Sequence, residues 1–359
     1  MRKYILRRIF YGITVLIGVA TIIFLLFNLL PGDPARLMLG NRPSQEAIEA
    51  INRDLGRDKS LGVQYMLYMN DISPISYHQS ANPEESFFLD EEKYESYFNL
   101  IHIGDKHVVL KYPYLRRSYK ARRKINDLIL EALPQTSVLA IVSMSFAMFF
   151  GVLFGIIAAT NKGTRWDALV LIVAVLGMAL PSYYSGYIFQ TVFAYHWGDY
   201  TGLPITGSLY GWDDALGRDS LQLMALVLPA FTLGIRPLAI VMQLTRNSLL
   251  EVLDQDYIRT AKAKGLSFFK ILFKHALKNA LNPVITAISG WIASLLAGAI
   301  FIEKVFNYKG LGMELFDSVM NNDLPVAMGI VLFLSFVFVI VNILVDIIYV
   351  LMDPRIRLK

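Results

Sequence analysis

Six stretches of the chain are apolar over about 20 residues or more, the length that an α-helix needs to cross the hydrocarbon core of a bilayer. Their apolar residues run continuously and do not alternate with polar ones, which is typical of helices and not of barrel strands. The composition agrees, since 55% of the residues are hydrophobic and only 18% are charged. The sequence therefore predicts an all-α integral membrane protein with six transmembrane helices, at residues 9–30, 137–160, 168–195, 221–244, 283–302 and 326–352.

The basic residues outside these stretches predict the orientation of the chain. They concentrate at both ends and in alternate loops, at Arg2, Lys3, Arg7, Arg8, Lys162, Arg165, Arg246, Arg259, Lys262, Lys264, Lys270, Lys274, Lys278, Arg355, Arg357 and Lys359. The short loops on the opposite side carry only Arg218, Lys304 and Lys309. Because short loops rich in Lys and Arg stay in the cytoplasm, both termini are predicted to be cytoplasmic.

This orientation divides the chain into three predicted parts. Residues 1–30 form a basic tail and a first helix that is retained as an anchor, because its apolar stretch exceeds a signal-peptide core and no A-x-A site follows. Residues 31–130 form an extracytoplasmic segment, and residues 131–359 form a five-helix core with a cytoplasmic loop at 246–281. The chain has no cysteine, which excludes thiol catalysis and thiolate metal sites.

The loop at 246–281 is longer than a helical hairpin needs and has the sequence pattern of two short amphipathic helices. Asp254 or Asp256 suits the start of the first helix, Gly265 suits the left-handed position that ends it, and Ser267 suits the start of the second. Two interpretations remain open from this pattern alone. The loop is either a protruding elbow that docks into a groove of a partner or an interfacial helix on anionic headgroups.

The same loop, DYIRTAKAKGLSFFKILFKHALKNALNPVI, resembles the cytoplasmic loop of permease subunits of ABC importers in the dipeptide, oligopeptide and nickel branch. The general motif of the superfamily, E-A-A-x₃-G-x₉-I-x-L-P, is met at Ala261, Gly265 and Leu277. The departures from it, RTAKAKG and KHALKNAL, are those usual in the peptide branch. Further segments are similar to that branch, namely LPGDPARLMLG, QEAIEAINRDLG, LPQTSVLA, IEKVFNYKGLG, NDLPVAMG and VNILVDIIYVLMDPRIR. Residues 72–113 match nothing and read as an insertion.

The resemblance implies a type I importer permease core with an extracytoplasmic insertion after the first helix. Its expected function is to form the translocation pathway for peptides or related small solutes by alternating access in a bacterial inner membrane. The chain lacks G-x₄-G-K-[ST], so ATP hydrolysis is expected on another chain. The expected partners are a second homologous permease, two cytoplasmic ATPase subunits, an extracytoplasmic substrate-binding protein and lipid, with no nucleic acid and no cofactor. The residues expected to couple to the ATPase are Asp256, Arg259, Thr260, Ala261, Lys262, Lys264, Gly265 and Leu266.

Four further residues are candidates for the pathway or its gate. Arg236 lies within an apolar stretch, where it faces the pathway, snorkels to the interface or pairs with a neighbour. Glu303, Gly310 and Gly312 belong to a loop that resembles the outer-face loop over the pathway in family members, and a tight glycine turn is the alternative. Pro181 and Pro229 predict kinks in their helices.

Two other classes of function were weighed. A secondary transporter needs carboxylates within the membrane for ion coupling, and only Asp346 lies clearly inside a stretch. A membrane-embedded hydrolase needs a catalytic cluster, and neither H-E-x-x-H nor G-x-S-x-G occurs. His102 and His107 are five residues apart, but no catalytic or metal site is predicted.

Overall fold

The computed structural model describes residues 2–29, 44–54, 56–80, 82, 86–94, 96–118, 120–213 and 217–352. The PGDPA turn at 31–35 and the basic residues Arg355, Arg357 and Lys359 lie outside the described residues. The chain divides into two compact units. The helical unit comprises Met1–Ile5, Ala132–Glu314 and Ile340–Lys359, and the mixed unit comprises Leu6–Glu131 and Leu315–Val339.

The described residues form long helices, several short ones and two small sheets. In chain order these are α1 (Arg2–Leu29), α2 (Gln45–Asp54), α3 (Leu61–Ile72), β1 (Ile75–Gln79), α4 (Glu91–Tyr94), β2 (Tyr97–Ile103), β3 (Lys106–Lys111), α5 (Ile125–Thr160), α6 (Arg165–Ala179), α7 (Ser182–Phe189, continued by a π-helical segment Gln190–His196), α8 (Gly198–Thr201), β4 (Tyr210–Asp213), β5 (Arg218–Leu221), α9 (Leu223–Leu253), α10 (Asp256–Ala263), α11 (Phe268–Lys270, continued by a π-helical segment Ile271–Ala276), α12 (Leu277–Ala280), α13 (Asn282–Phe306), α14 (Leu311–Met320) and α15 (Leu324–Met352).

Among the described residues, four helices are long and apolar enough to cross a membrane, and a bent pair makes five if it counts as one span. The four are Ile5–Asn28, Ile125–Thr160, Leu223–Leu253 and Leu324–Ile347. The predicted stretch at 283–302 lies within α13, which has 25 residues. The helical membrane architecture is therefore observed, whereas the number of six spans stays a prediction.

The bent pair consists of α6 and α7, which meet at an angle of 110°. Pro181 lies between them, where its ring removes a backbone donor and the helix restarts with Tyr184 N–H donating to the Pro181 carbonyl at 3.0 Å. Pro229, for which a kink was also predicted, lies inside the continuous helix α9. Only the first of these two prolines divides its helix.

The helical unit packs around α9. Gly151 and Gly155 of α5 bring the two backbones close together, because a Cβ on Gly155 would lie 2.6 Å from the Thr245 Cβ and 2.8 Å from the Met242 carbonyl oxygen. On the other side, Val170 and Ala174 of α6 pack against apolar residues of α9 at Leu238, Ala239 and Met242. Small residues at helix contacts are the usual means of close packing in membranes. α9 is thus held by α5 and α6 along much of its length.

The mixed unit contains a three-stranded antiparallel sheet in the order β1-β3-β2. His107, Val109 and Lys111 of β3 point to the buried face, and the residues between them point to the open face. The all-α prediction is corrected here, because residues 31–130 contain these three strands. The reason is that each strand has only five to seven residues, so its alternation of period two is too short to stand out.

Two contacts tie the rest of the mixed unit together. Ala20 and Phe24 of α1 pack with Tyr68 of α3 and with Leu332 of α15. The Asn70 side chain pairs with the backbone of Tyr77, accepting from its N–H at 2.8 Å and donating to its carbonyl at 3.0 Å. This residue extends the hydrogen bonding of β1 to the end of α3.

A buried polar cluster lies beneath the sheet. Asp71 accepts a hydrogen bond from the Tyr94 hydroxyl at 2.6 Å and pairs with Lys93 at 2.9 Å, and its carbonyl accepts from the Lys111 ammonium at 2.7 Å. Burial lowers the pKa of Lys111 to about 8 and raises that of Tyr94. Burial, helped by the Lys111 charge, lowers the pKa of His78 from 6.5 to about 4. Lys93, Tyr94 and Lys111 of the insertion are therefore all hydrogen-bonded to Asp71, the residue just before it.

Candidate functional site

The elbow, defined as residues 256–280, has the two-helix form that its sequence predicts. Gln255 occupies the position before α10, so Asp256 is the first residue of the helix. Gly265 ends it with φ of 74°, donating from its N–H to the Lys262 carbonyl at 3.0 Å, while Leu266 N–H donates to the Ala261 carbonyl at 3.4 Å. This pair of bonds is a Schellman motif. Ser267 precedes the second helix but its side chain makes no capping hydrogen bond.

The inner side of the elbow is buried against the helical unit. Ile258 of α10 has no exposed surface, and Ala261 packs beside it with Ile271 of the second helix. These side chains surround Leu249, near the end of α9, together with Ala159 near the end of α5. Leu266 is partly buried against the same cluster. The structure thus assigns Ala261 and Leu266, two of the predicted coupling residues, to the anchoring side of the elbow.

The outer side of the elbow is polar and exposed. Arg259 pairs with Asp256 at 3.3 Å, and the two side chains are 71% and 95% exposed. The other predicted coupling residues, Thr260, Lys262, Lys264 and Gly265, are exposed on the same element. An exposed pair of this kind adds little to stability. The elbow therefore presents a charged outer surface, and its inner side is packed against two long helices, α5 and α9.

The second helix of the elbow adds an exposed aromatic surface that was not predicted from the sequence pattern. Phe268, Phe269 and Phe273 are exposed, whereas Ile271 and Leu272 are buried. Residues Ile271–Ala276 are wound as a π-helix, so successive side chains are not separated by the angle of an α-helix. An apolar face predicted at 3.6 residues per turn is therefore wrong for part of this helix. Exposed aromatics at this density mark a contact surface.

Glu303 lies in a closed polar cluster with no exposed surface. One carboxylate oxygen accepts from the Thr136 hydroxyl at 2.7 Å, and the other accepts from the Met313 N–H at 3.0 Å. The Thr136 oxygen in turn accepts from the Leu311 N–H at 2.8 Å. The carboxyl group therefore accepts a hydrogen bond at the N-terminal end of α14, where the first backbone donors of a helix have no partner within the helix.

Gly310 and Gly312 make this cluster sterically feasible. A Cβ on Gly310 would overlap Glu303 and Thr136, and a Cβ on Gly312 would overlap the backbone of Ile300. The loop can close over the carboxylate only because both positions lack a side chain. The structure thus brings three of the four predicted gate residues together and adds Thr136, which belongs to the LPQTSVLA segment but was not selected.

Arg236, the fourth candidate, lies apart from that cluster. It is exposed on α9, with the buried residues Leu233, Pro237 and Ala239 beside it. Within the described part of the chain its guanidinium makes no ion pair. An unpaired arginine on the side of an apolar helix is costly unless it meets water or a partner.

His102 and His107 are neighbours across β2 and β3, with their Nδ1 atoms 3.1 Å apart. The His107 Nε2 atom lies 3.0 Å from the Ser80 hydroxyl, so the pair is satisfied by hydrogen bonds. Within the described ranges no group of three or more His, Cys, Asp or Glu residues is arranged to hold a metal ion.

The chain is similar to known proteins over nearly its whole length. The profile of the family described as "Binding-protein-dependent transport system inner membrane component" matches residues 151–358. The profile of the corresponding N-terminal membrane component matches residues 1–83. The chain is 33% identical to the dipeptide transport system permease protein of Alkalihalophilus pseudofirmus, over 99% of this chain and 100% of that protein. It is 33% identical to the glutathione transport system permease protein of Salmonella typhimurium over 100% of both chains. It is also 33% identical to the di/tripeptide transport system permease protein of Pseudomonas aeruginosa over 99% of both chains.

Proposed function

Because the chain belongs to the family of inner membrane components of binding-protein-dependent transport systems, we propose that it is the permease subunit of an ATP-driven importer of peptides or related small solutes. It is a multi-pass protein of the bacterial inner membrane. The full-length similarity to peptide permeases favours this function over a secondary transporter or a membrane-embedded hydrolase. We propose only a class of solute, because the names of the relatives refer to different peptides.

The observation that carries the proposal is the two-sided construction of the elbow. Its inner side is buried against α5 and α9, so a force on the elbow reaches two long helices without first deforming a flexible loop. Its outer side presents Asp256, Arg259, Lys262 and Lys264, which suit charged contacts with a protein groove. The sequence has no phosphate-binding loop of its own, so the motor is a separate ATPase.

The proposed topology has six transmembrane helices and both termini in the cytoplasm. The distribution of basic residues supports it, because they lie in the elbow and in the loop before α6 but are sparse on the other side. Residues 1–30 are then the tail and first helix, 31–130 the extracytoplasmic segment, and 131–359 the five-helix core. The elbow and the ATPase subunits share the cytoplasmic side.

The proposed mechanism is alternating access. A substrate-binding protein delivers the solute to the outer face, and this chain and a second homologous permease form the pathway. Two ATPase subunits bound to the two elbows approach one another on binding ATP and open the pathway outward, and hydrolysis resets it. The bilayer contacts the apolar helices, and the exposed Phe269 and Phe273 suit the lipid boundary or a partner subunit.

Two groups are proposed for the pathway and its outer gate. The cluster of Glu303, Thr136, Gly310 and Gly312 fixes the loop after α13 in one closed arrangement, which suits a gate element that must move as a block. Arg236 suits the pathway, because its exposed and unpaired guanidinium needs water, a partner or an anionic group of the solute.

Site-directed cross-linking tests the coupling proposal, because the natural chain has no cysteine. A Lys262→Cys chain, assembled with its ATPase partner carrying single cysteines around its groove, is expected to form a disulfide with it. The matched control is Lys106→Cys at the start of β3, which is also exposed but is proposed to lie on the extracytoplasmic side. The Lys106→Cys chain should instead react with a membrane-impermeant maleimide added to intact spheroplasts. Reversal of these two results would reject both the topology and the coupling surface.

A further inference from the structure

A buried ion pair joins α6 to α9 next to the elbow. The Arg246 Nε donates to one oxygen of Asp167 at 2.6 Å, and its Nη2 donates to the other at 2.8 Å. Asp167 is only 4% exposed and also accepts from the Gly163 N–H at 3.0 Å. The guanidinium is therefore held by two parallel hydrogen bonds, which fix its orientation as well as its distance.

The position of this pair in the fold is more informative than its strength. Arg246 lies one turn before Leu249, the residue of α9 that the elbow encloses. Asp167 lies in the first turn of α6, the helix that ends at the 110° bend before α7. A continuous set of contacts thus runs from Ile258 of the elbow through Leu249 and Arg246 to Asp167.

Along the rest of their described contact, α6 and α9 are joined by apolar packing. Val170 and Ala174 pack with Leu238, Ala239 and Met242, and helices packed in this way can shift over one another by small distances. At the end nearest the elbow, the two-pronged ion pair is the contact with a defined geometry. A helix held in this way cannot rotate or slip without breaking both hydrogen bonds.

We propose that the Asp167–Arg246 ion pair makes α6 move with the elbow, so that displacement of the elbow by the ATPase is passed to the third apolar stretch as well as to α9. The two residues are positioning residues, because they act through the two helices that they join. The inference rests on the proposed coupling function and adds the route by which the movement leaves the elbow.

Spin-label distances in the assembled importer test this route. Cysteines replace the exposed Ile172 of α6 and the exposed Lys274 of the elbow, in complexes with cysteine-free partner subunits. With the ion pair intact, the distance between the labels should stay the same in nucleotide-free and ATP–vanadate-trapped complexes. With Asp167→Asn, trapping should change it by more than about 2 Å, the size of typical helix shifts.

Four further variants separate coupling from simple stability. Arg246→Lys keeps the charge but loses the two-pronged geometry, and it should show a smaller change of distance on trapping. The double variant Asp167→Asn with Arg246→Gln should be no worse than either single variant, because both remove one interaction. Gly155→Ala disturbs the packing of α5 on α9 without removing either member of the pair, so its label distance should stay constant. Asp58→Asn, which breaks the exposed pair with Lys59 at 3.0 Å, is the control for loss of a carboxylate.

The outcomes distinguish this inference from the coupling proposal. Persistence of the Lys262→Cys cross-link in the Asp167→Asn chain, together with a changed label distance, supports the inference. A label distance that is constant in Asp167→Asn and Arg246→Lys, with the cross-link retained, overturns the inference and leaves the coupling proposal standing. If Asp167→Asn does not assemble, the comparison of Arg246→Lys with Gly155→Ala decides. Equal changes of label distance on trapping in those two variants overturn the inference as well.

Discussion

Gly265 is required for its backbone conformation and not for space. A Cβ built on it meets nothing within 4 Å, yet its φ of 74° lies in the region that L-residues rarely adopt. Its N–H also closes the end of α10 on the Lys262 carbonyl. Different substitutions at this one position therefore test different properties.

We predict that Gly265→Ala destabilises the folded elbow by about 1 kcal/mol, because alanine adopts a positive φ only at that penalty. Coupling should be weakened only partly. Gly265→Pro should abolish coupling, because proline fixes φ near −65° and removes the donor. The measurement is co-purification of the ATPase together with its ATP hydrolysis in the complex. Gly104→Ala, at a φ of 59° in an equally open turn, is the matched control and should leave both unchanged. Normal behaviour of the proline variant would contradict the role of the elbow.

His78 predicts a pH dependence of the mixed unit. The unfolded side chain takes up a proton below its usual pKa of 6.5, whereas the folded one does so only near 4. The unfolded state therefore holds more protons in this window, and stability falls as the pH falls through it, by about 2 kcal/mol at pH 5. The charged groups facing His78 are Lys111, Lys93 and Asp71, of which the two cations oppose its protonation.

Hydrogen exchange of the β1–β3 amides at pH 7 and pH 5, corrected for intrinsic rates, measures this effect. In His78→Gln the loss of protection between the two pH values should be smaller, because the titrating group is gone. An equal loss in both chains would assign the pH dependence to the carboxylates instead.

At the scale of elements, the contact of α5 with α9 depends on two glycines in register. We predict that Gly155→Ala destabilises the helical unit by about 1–3 kcal/mol, because the added methyl overlaps Thr245 and the Met242 carbonyl. Gly18→Ala is the matched control in another apolar helix, since its Cβ would meet nothing within 4 Å. Thermal unfolding in detergent compares the two, and equal midpoints would contradict the close packing.

The long elements could be predicted from the sequence, and the reasons are physical. Continuous apolar stretches locate α5, α9 and α15, but they miss the polar beginnings of α1 and α5, which start at Arg2 and Ile125. The ends of the elbow helix follow from Asp256 and Gly265, whose roles are local. The sheet and the π-helical segments were not foreseen, because short alternations and changed helical winding leave no clear period.

The candidate site was predictable only where its chemistry is local. Gly265 and the charged residues around it lie on one short element, so their spacing predicts its two-helix form. The coupling role of these residues stays a prediction that rests on the resemblance. Thr136 and Glu303 are 167 positions apart, so only folding brings them together. Asp167 and Arg246 were each visible as single charges, but a buried pair between two helices has no signature in one sequence.

At the scale of the whole molecule, membership of the transport family confirms the resemblance that was drawn from the elbow and from segments along the chain. The match of the N-terminal profile ends at residue 83, within the insertion at 72–113 that resembled nothing. That insertion nevertheless contains the three strands of one sheet, and its Lys93 pairs with Asp71 just before it. The insertion is therefore ordered although it resembles nothing in the peptide branch.

The exposed edge strand β2 of that sheet has a practical consequence. β2 lies at one edge, and Phe98, Ile101 and Ile103 on it are exposed. Such an edge offers free hydrogen-bonding groups to any extended chain nearby, including another copy of the same protein. Overproduction without the other components is therefore expected to yield aggregates, and balanced co-expression should improve recovery more than a change of detergent does.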